Sequence, residues 1–77
     1  MIRKQVGKRI RMLRKLSKMS QEEFAFRCGM DRTYITSLEN GKRNISIVNL
    51  KKIAEVFEMT LSEFFDLEDL EDFNDIR

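Results

Sequence analysis

The 77 residues are enough for one domain and too few for a second, and a hydrophobic share of 42% favours a packed core over disorder. With no histidine and a single cysteine, the chain has no imidazole for catalysis and no partner for an internal disulfide. The formal net charge of +2 conceals a separation: residues 1 to 20 hold eight Lys or Arg and no acid, residues 21 to 60 balance at six and six, and residues 61 to 77 hold seven acids against Arg77. A basic end attracts a polyanion and an acidic end repels it, so the asymmetry points to nucleic acid as partner.

Val6, Ile10 and Leu13 recur at helical spacing among basic residues, which predicts a first helix over residues 3 to 17. A helix lying on a membrane surface would need a broader apolar face than this one has. Ser20 is suited to cap a second helix, with Glu23 completing a capping box. Phe24, Ala25 and Cys28 share its apolar stripe, and Gly29 can take the left-handed conformation that ends it. Asp31 offers the next cap, Ile35 and Leu38 mark a buried side, and Asn40 with Gly41 stops the third helix. Ser46 caps a fourth helix running to about Glu58 with Ile47, Leu50, Ile53, Ala54 and Phe57 on its stripe, and Thr60 with Glu63 opens a fifth. Apolar pairs suited to hydrophobic staples flank the four caps: Met19 with Phe24, Met30 with Ile35, Ile45 with Leu50, and Met59 with Phe64. Alternating apolar patterns are scarce, so the expected fold is a compact all-α domain of five helices.

The second and third helices, joined through Gly29, read as a helix-turn-helix. The third leaves Arg32, Thr33, Thr36 and Ser37 on its outer side, where a helix needing only solubility would usually carry Glu and Lys. Arg32 and Thr33 stand in the first turn, from which side chains of an inserted helix reach base edges in the major groove. Arginine can bond guanine at two acceptors, and threonine offers a hydroxyl and a methyl. Tyr34, Asn40, Lys42, Arg43 and Asn44 add neutral or cationic donors suited to phosphate oxygens. The competing structural reading is a solvated first turn followed by an ordinary polar loop.

Four strings carry a family resemblance: GKRIRMLR at Gly7 to Arg14, SQEEFA at Ser20 to Ala25, YITSLENGKRN at Tyr34 to Asn44, and SEFF at Ser62 to Phe65. Over residues 6 to 66 the chain resembles the lambda/434 repressor and Cro group of DNA-binding domains, the Xre-like family. The run DRTYITSLE followed by RNIS looks most like controller proteins, the small dimeric regulators of restriction-modification operons. The resemblance implies that Gln21 contacts the DNA backbone, that Arg32, Thr33, Thr36 and Ser37 face bases, and that Tyr34, Asn40, Arg43 and Asn44 touch phosphate or base edges. It also implies a buried pair between Arg14 and Glu39. The sequence departs from the family at Lys18, where a glycine commonly closes the first helix.

These readings divide the chain into a DNA-binding domain over residues 1 to 66 and an acidic tail over residues 67 to 77. The tail's carboxylates give little support for calcium, because no glycine occupies the turn that a calcium loop needs. One recognition helix reads few base pairs, so a homodimer on a near-palindromic operator is expected, with Val48, Phe65 and Leu67 as interface candidates. The expected function is sequence-specific transcriptional regulation. An antitoxin-type module that binds DNA and a protein, or another Xre-like repressor, is the alternative. No metal-ligand cluster, phosphate-cradling loop or nucleophile beside a base suggests an enzyme, a cofactor or a small-molecule substrate. Without an apolar leader or a membrane span, a cytoplasmic location is expected.

Overall fold

A computed structural model describes residues 2–66. It is all-helical among those residues: α1 Ile2–Leu16, α2 Gln21–Cys28, α3 Arg32–Glu39, α4 Ile47–Val56 and α5 Leu61–Phe64. The expectation of five helices in an all-α domain holds. The first helix begins and ends one residue earlier than its periodicity predicts, and α4 stops at Val56 rather than near Glu58.

The start signals work through specific hydrogen bonds. The Oγ of Ser20 accepts from the backbone N–H of Glu23 at 3.0 Å, and that of Ser46 accepts from Asn49 at 3.1 Å. Thr60 and Glu63 form the full reciprocal box. The predicted box at Ser20 is only half made, because Glu23 turns its carboxylate to Arg27 one turn on, at 2.7 Å. Asp31 stands at the cap of α3 in extended conformation but makes no side-chain capping bond.

The stop signals share one geometry. Gly29 (φ 70°) and Gly41 (φ 72°) are left-handed, and so are Lys18 (φ 59°) and Glu58 (φ 56°). Each donates its own N–H back three residues, and the next residue bonds the carbonyl five residues before itself, as in Met19 to Arg14, Met30 to Ala25, Lys42 to Ser37 and Met59 to Ala54. These paired bonds are Schellman closures, which satisfy carbonyls that a helix end leaves unpaired. At Lys18 and Glu58 the closure forms without the glycine that would adopt it most easily.

Phe24, Phe64, Ile10, Ile35, Leu38 and Ile53 are fully buried, and they draw α1, α2, α3, α4 and α5 onto one core. Burying each such side chain contributes roughly 1.5–3 kcal/mol. Phe57 stacks on Phe24 with ring centroids 5.0 Å apart. Cys28 is buried against the core, and desolvation pushes its thiol from 9.0 up to about 11. Ile47 departs from the predicted stripe: it is 74% exposed, since the first residue of α4 lies past the edge of the face that packs on α2 and α5.

Two helices approach at backbone distance. A Cβ on Gly7 would run into the carbonyl of Leu38 and lie 2.9 Å from that of Glu39, so α1 rests directly on the end of α3. Two arginines of α1 are buried, not Arg14 alone as the sequence reading has it. Arg9 donates from Nε to the Phe64 carbonyl and from Nη2 to the Glu63 carbonyl, both at 2.8 Å, and so ties α1 to the end of α5.

Candidate nucleic-acid interface

Ile35 and Leu38 fix the orientation of α3 by turning inward, and the opposite side is left outward. Arg32, Thr33, Thr36 and Ser37 line one shallow groove there, with Arg32 and Thr33 exposed and the other two half-buried. The remaining donors follow along the same edge. Asn40 is exposed where α3 ends, and Lys42, Arg43 and Asn44 are exposed in the loop to α4. That loop is held by left-handed Gly41, against which Lys4 of α1 packs so closely that a Cβ would lie 2.7 Å from the lysine Cγ.

Tyr34 is half-buried and shared between two neighbours. The Arg43 guanidinium lies over its ring at 5.2 Å, a cation–π contact, and Asn49 Nδ2 donates to its hydroxyl at 3.2 Å. The stack holds Arg43 near the groove-lining helix. Asn49 had no signal in the sequence, because its role comes from the packing of α4 beside α3.

Beneath the exposed row lies a hydrogen-bonded relay. Arg14 Nε and Nη2 donate to Glu39 Oε2 and Oε1 at 2.7 and 3.0 Å, while Nη1 donates to the Met19 carbonyl at 2.9 Å. Gln21 Nε2 donates to Glu39 Oε1, and Thr36 Oγ1 donates to Gln21 Oε1, each at 3.1 Å. The side chain of Gln21 is therefore engaged inside the motif in this conformation, rather than directed outward to a DNA backbone. It links the first residue of α2 to the middle of α3.

Cations outnumber acids around this face, where Asp31 is the exposed acid at the cap of α3. Arg32, Lys42 and Arg43 are exposed, and Glu39, the acid at the end of α3, is buried against Arg14. A row of outward donors on a rigid helix, flanked by cations, can bond base edges and phosphates together. Val48 and Phe65, the described interface candidates, are 62% and 39% exposed. Leu67 lies outside the described residues. No group of His, Cys, Asp and Glu suited to a metal occurs among the described residues. Among the same residues no helix is long and apolar enough to cross a membrane.

Residues 10–64 match a family model described as Helix-turn-helix. The chain is 52% identical over 60 residues to the control protein C.MunI of a Mycoplasma species, covering 77% of this chain and 81% of that protein. Among solved structures it is similar to the restriction-modification controller protein C.AhdI of Aeromonas hydrophila (40% identity, TM-score 0.78, 82% of this chain and 96% of that one). It is also similar to the controller protein C.Esp1396I, solved as a tetramer on its natural 35 base-pair operator (32% identity, TM-score 0.77, 84% and 86%).

Proposed function

The chain belongs to the Helix-turn-helix family, and we propose that it is a DNA-binding transcriptional regulator acting as the controller of a restriction-modification operon. The observation that carries this reading is the outward groove that Arg32, Thr33, Thr36 and Ser37 line together, built on a fold whose relatives include a controller solved on operator DNA. In this reading α3 enters the major groove and those four side chains face bases. Tyr34, Asn40, Lys42, Arg43 and Asn44 take phosphates or base edges and set the register. Gln21 acts from behind them, through Thr36. The protein carries out no catalysis and works in the cytoplasm. Residues 1 to 66 are the DNA-binding unit, and residues 67 to 77 are an acidic tail by composition.

The active species is a homodimer. One subunit contacts too few phosphates for tight, selective binding at cellular salt. Two copies would place their α3 helices about 34 Å apart in successive major grooves, on a near-palindromic site. Val48 and Phe65 form the joining surface. Exposed Ile47 beside Val48 enlarges it.

Footprinting on the DNA upstream of its own coding sequence, with sedimentation at tens of micromolar, tests the reading. A protected inverted repeat and a dimeric mass are expected. Protection of no upstream fragment at low salt, or a monomeric mass, would contradict it.

A further inference from the structure

We infer that Thr36 is a one-way reader of the base edge: its oxygen can accept a hydrogen bond from DNA but cannot donate one, so it selects the exocyclic amine of adenine or cytosine. This rests on the proposed entry of α3 into the major groove.

The polarity follows from the relay, one atom at a time. A guanidinium only donates and a carboxylate only accepts, so the two bonds from Arg14 fix both oxygens of Glu39 as acceptors. Glu39 Oε1 then requires a donor from Gln21, which must turn its amide nitrogen toward Glu39. The reversed amide would set carbonyl oxygen against carboxylate oxygen. With the nitrogen committed, Gln21 presents Oε1 to Thr36 at 3.1 Å, and that oxygen carries no hydrogen. The Thr36 hydroxyl proton must therefore point inward. A hydroxyl has one proton and two lone pairs, so only lone pairs and the methyl remain for the groove that Thr36 lines with Arg32, Thr33 and Ser37.

Only two groups on major-groove base edges can donate to such an oxygen, adenine N6 and cytosine N4. Arg32, in the same groove, has donors alone and suits guanine N7 and O6. The groove thus carries opposite polarities one helical turn apart. Arg14, far from the DNA-facing side, sets the second of them through two intermediates.

The test uses the full-length protein and the best duplex recovered from a randomised pool. Each adenine is replaced in turn by purine, which lacks the 6-amino group, and each cytosine by pyrimidin-2-one, which lacks the 4-amino group. One amine deletion should weaken wild-type binding about three- to tenfold, the worth of one neutral hydrogen bond. The same deletion should have no effect on Thr36→Val, a smaller effect on Gln21→Met, and a near wild-type effect on Thr36→Ser. Coupling of Thr36 to a carbonyl instead, detected with 2-aminopurine for guanine or 5-methylpyrimidin-2-one for thymine, would overturn the polarity while leaving base reading intact. If Thr36→Val couples to no base while Arg32→Ala does, Thr36 is not a reader and the inference is overturned. If neither couples, the entry of α3 into the groove fails with it.

Discussion

Arg14 of α1 grips Glu39, the last residue of α3, through two hydrogen bonds of 2.7 and 3.0 Å with both side chains nearly closed to solvent. A buried ion pair adds little over an apolar isostere, yet removing one partner strands the other charge. Arg14→Ala is therefore expected to lower stability by about 3–5 kcal/mol. Urea denaturation measures it, and a loss below about 1 kcal/mol would mean the carboxylate finds water or another donor at the usual cost of a surface pair.

Gly7→Ala separates helix propensity from packing. Alanine in place of a helical glycine gains about 1 kcal/mol when nothing is in the way. Here the new methyl meets the carbonyls of Leu38 and Glu39, which are backbone and cannot swing aside. The expected outcome is a net loss of about 1–3 kcal/mol in chemical denaturation, the range for overpacking. A gain would show that α1 can slide off α3 freely.

The four left-handed helix ends give a paired prediction. Lys18 holds φ 59° with a side chain that disfavours it, so Lys18→Gly should raise the thermal midpoint, offsetting strain of about 1–2 kcal/mol against the freer unfolded chain. Gly29→Ala should lower it. A Cβ there would touch nothing within 4 Å, so its cost is purely conformational, about 1–2 kcal/mol.

Cys28 makes stability depend on alkaline pH. Its thiol is raised from 9.0 to about 11 by burial, so the folded state holds the proton more tightly than the unfolded chain. The contribution is complete below pH 9 and is lost as pH rises through about 11. Measured as unfolding midpoints from pH 8 to 11.5, the wild type should fall more steeply than Cys28→Ala across that window, and the thiol should react slowly with alkylating agents at pH 8.

Much of this architecture is legible in the sequence because its signals are local. Capping residues, apolar stripes and glycine stops fall within a few residues of what they control, so Ser20, Ser46, Thr60, Gly29 and Gly41 each mark a boundary that can be read one at a time. The groove residues are readable for the same reason: once Ile35 and Leu38 are placed inward, the outer side of α3 follows. What depends on tertiary packing is less legible. Arg9 lies along the same stripe as Val6, Ile10 and Leu13, but a basic residue is ordinarily placed in solvent, so its burial is not read from the stripe; that of Arg14 comes from the family resemblance, not from any local signal. The commitment of Gln21 to Glu39 and Thr36, and of Asn49 to Tyr34, spans residues far apart in the chain and left no local mark. Ile47 shows the reverse failure, a stripe residue left open at 74% because no neighbour covers the start of α4.

If α3 reads bases while the loop after it holds phosphate, the affinities of Arg32→Ala and Arg43→Ala for a selected duplex and for a random one must diverge. Arg32→Ala should lose about 1–3 kcal/mol on the selected duplex, with relaxed preference at one position and little change on the random one. Arg43→Ala should weaken both alike and reduce the salt dependence by about one phosphate contact. Equal losses on both duplexes for Arg32→Ala would mean that α3 does not read bases.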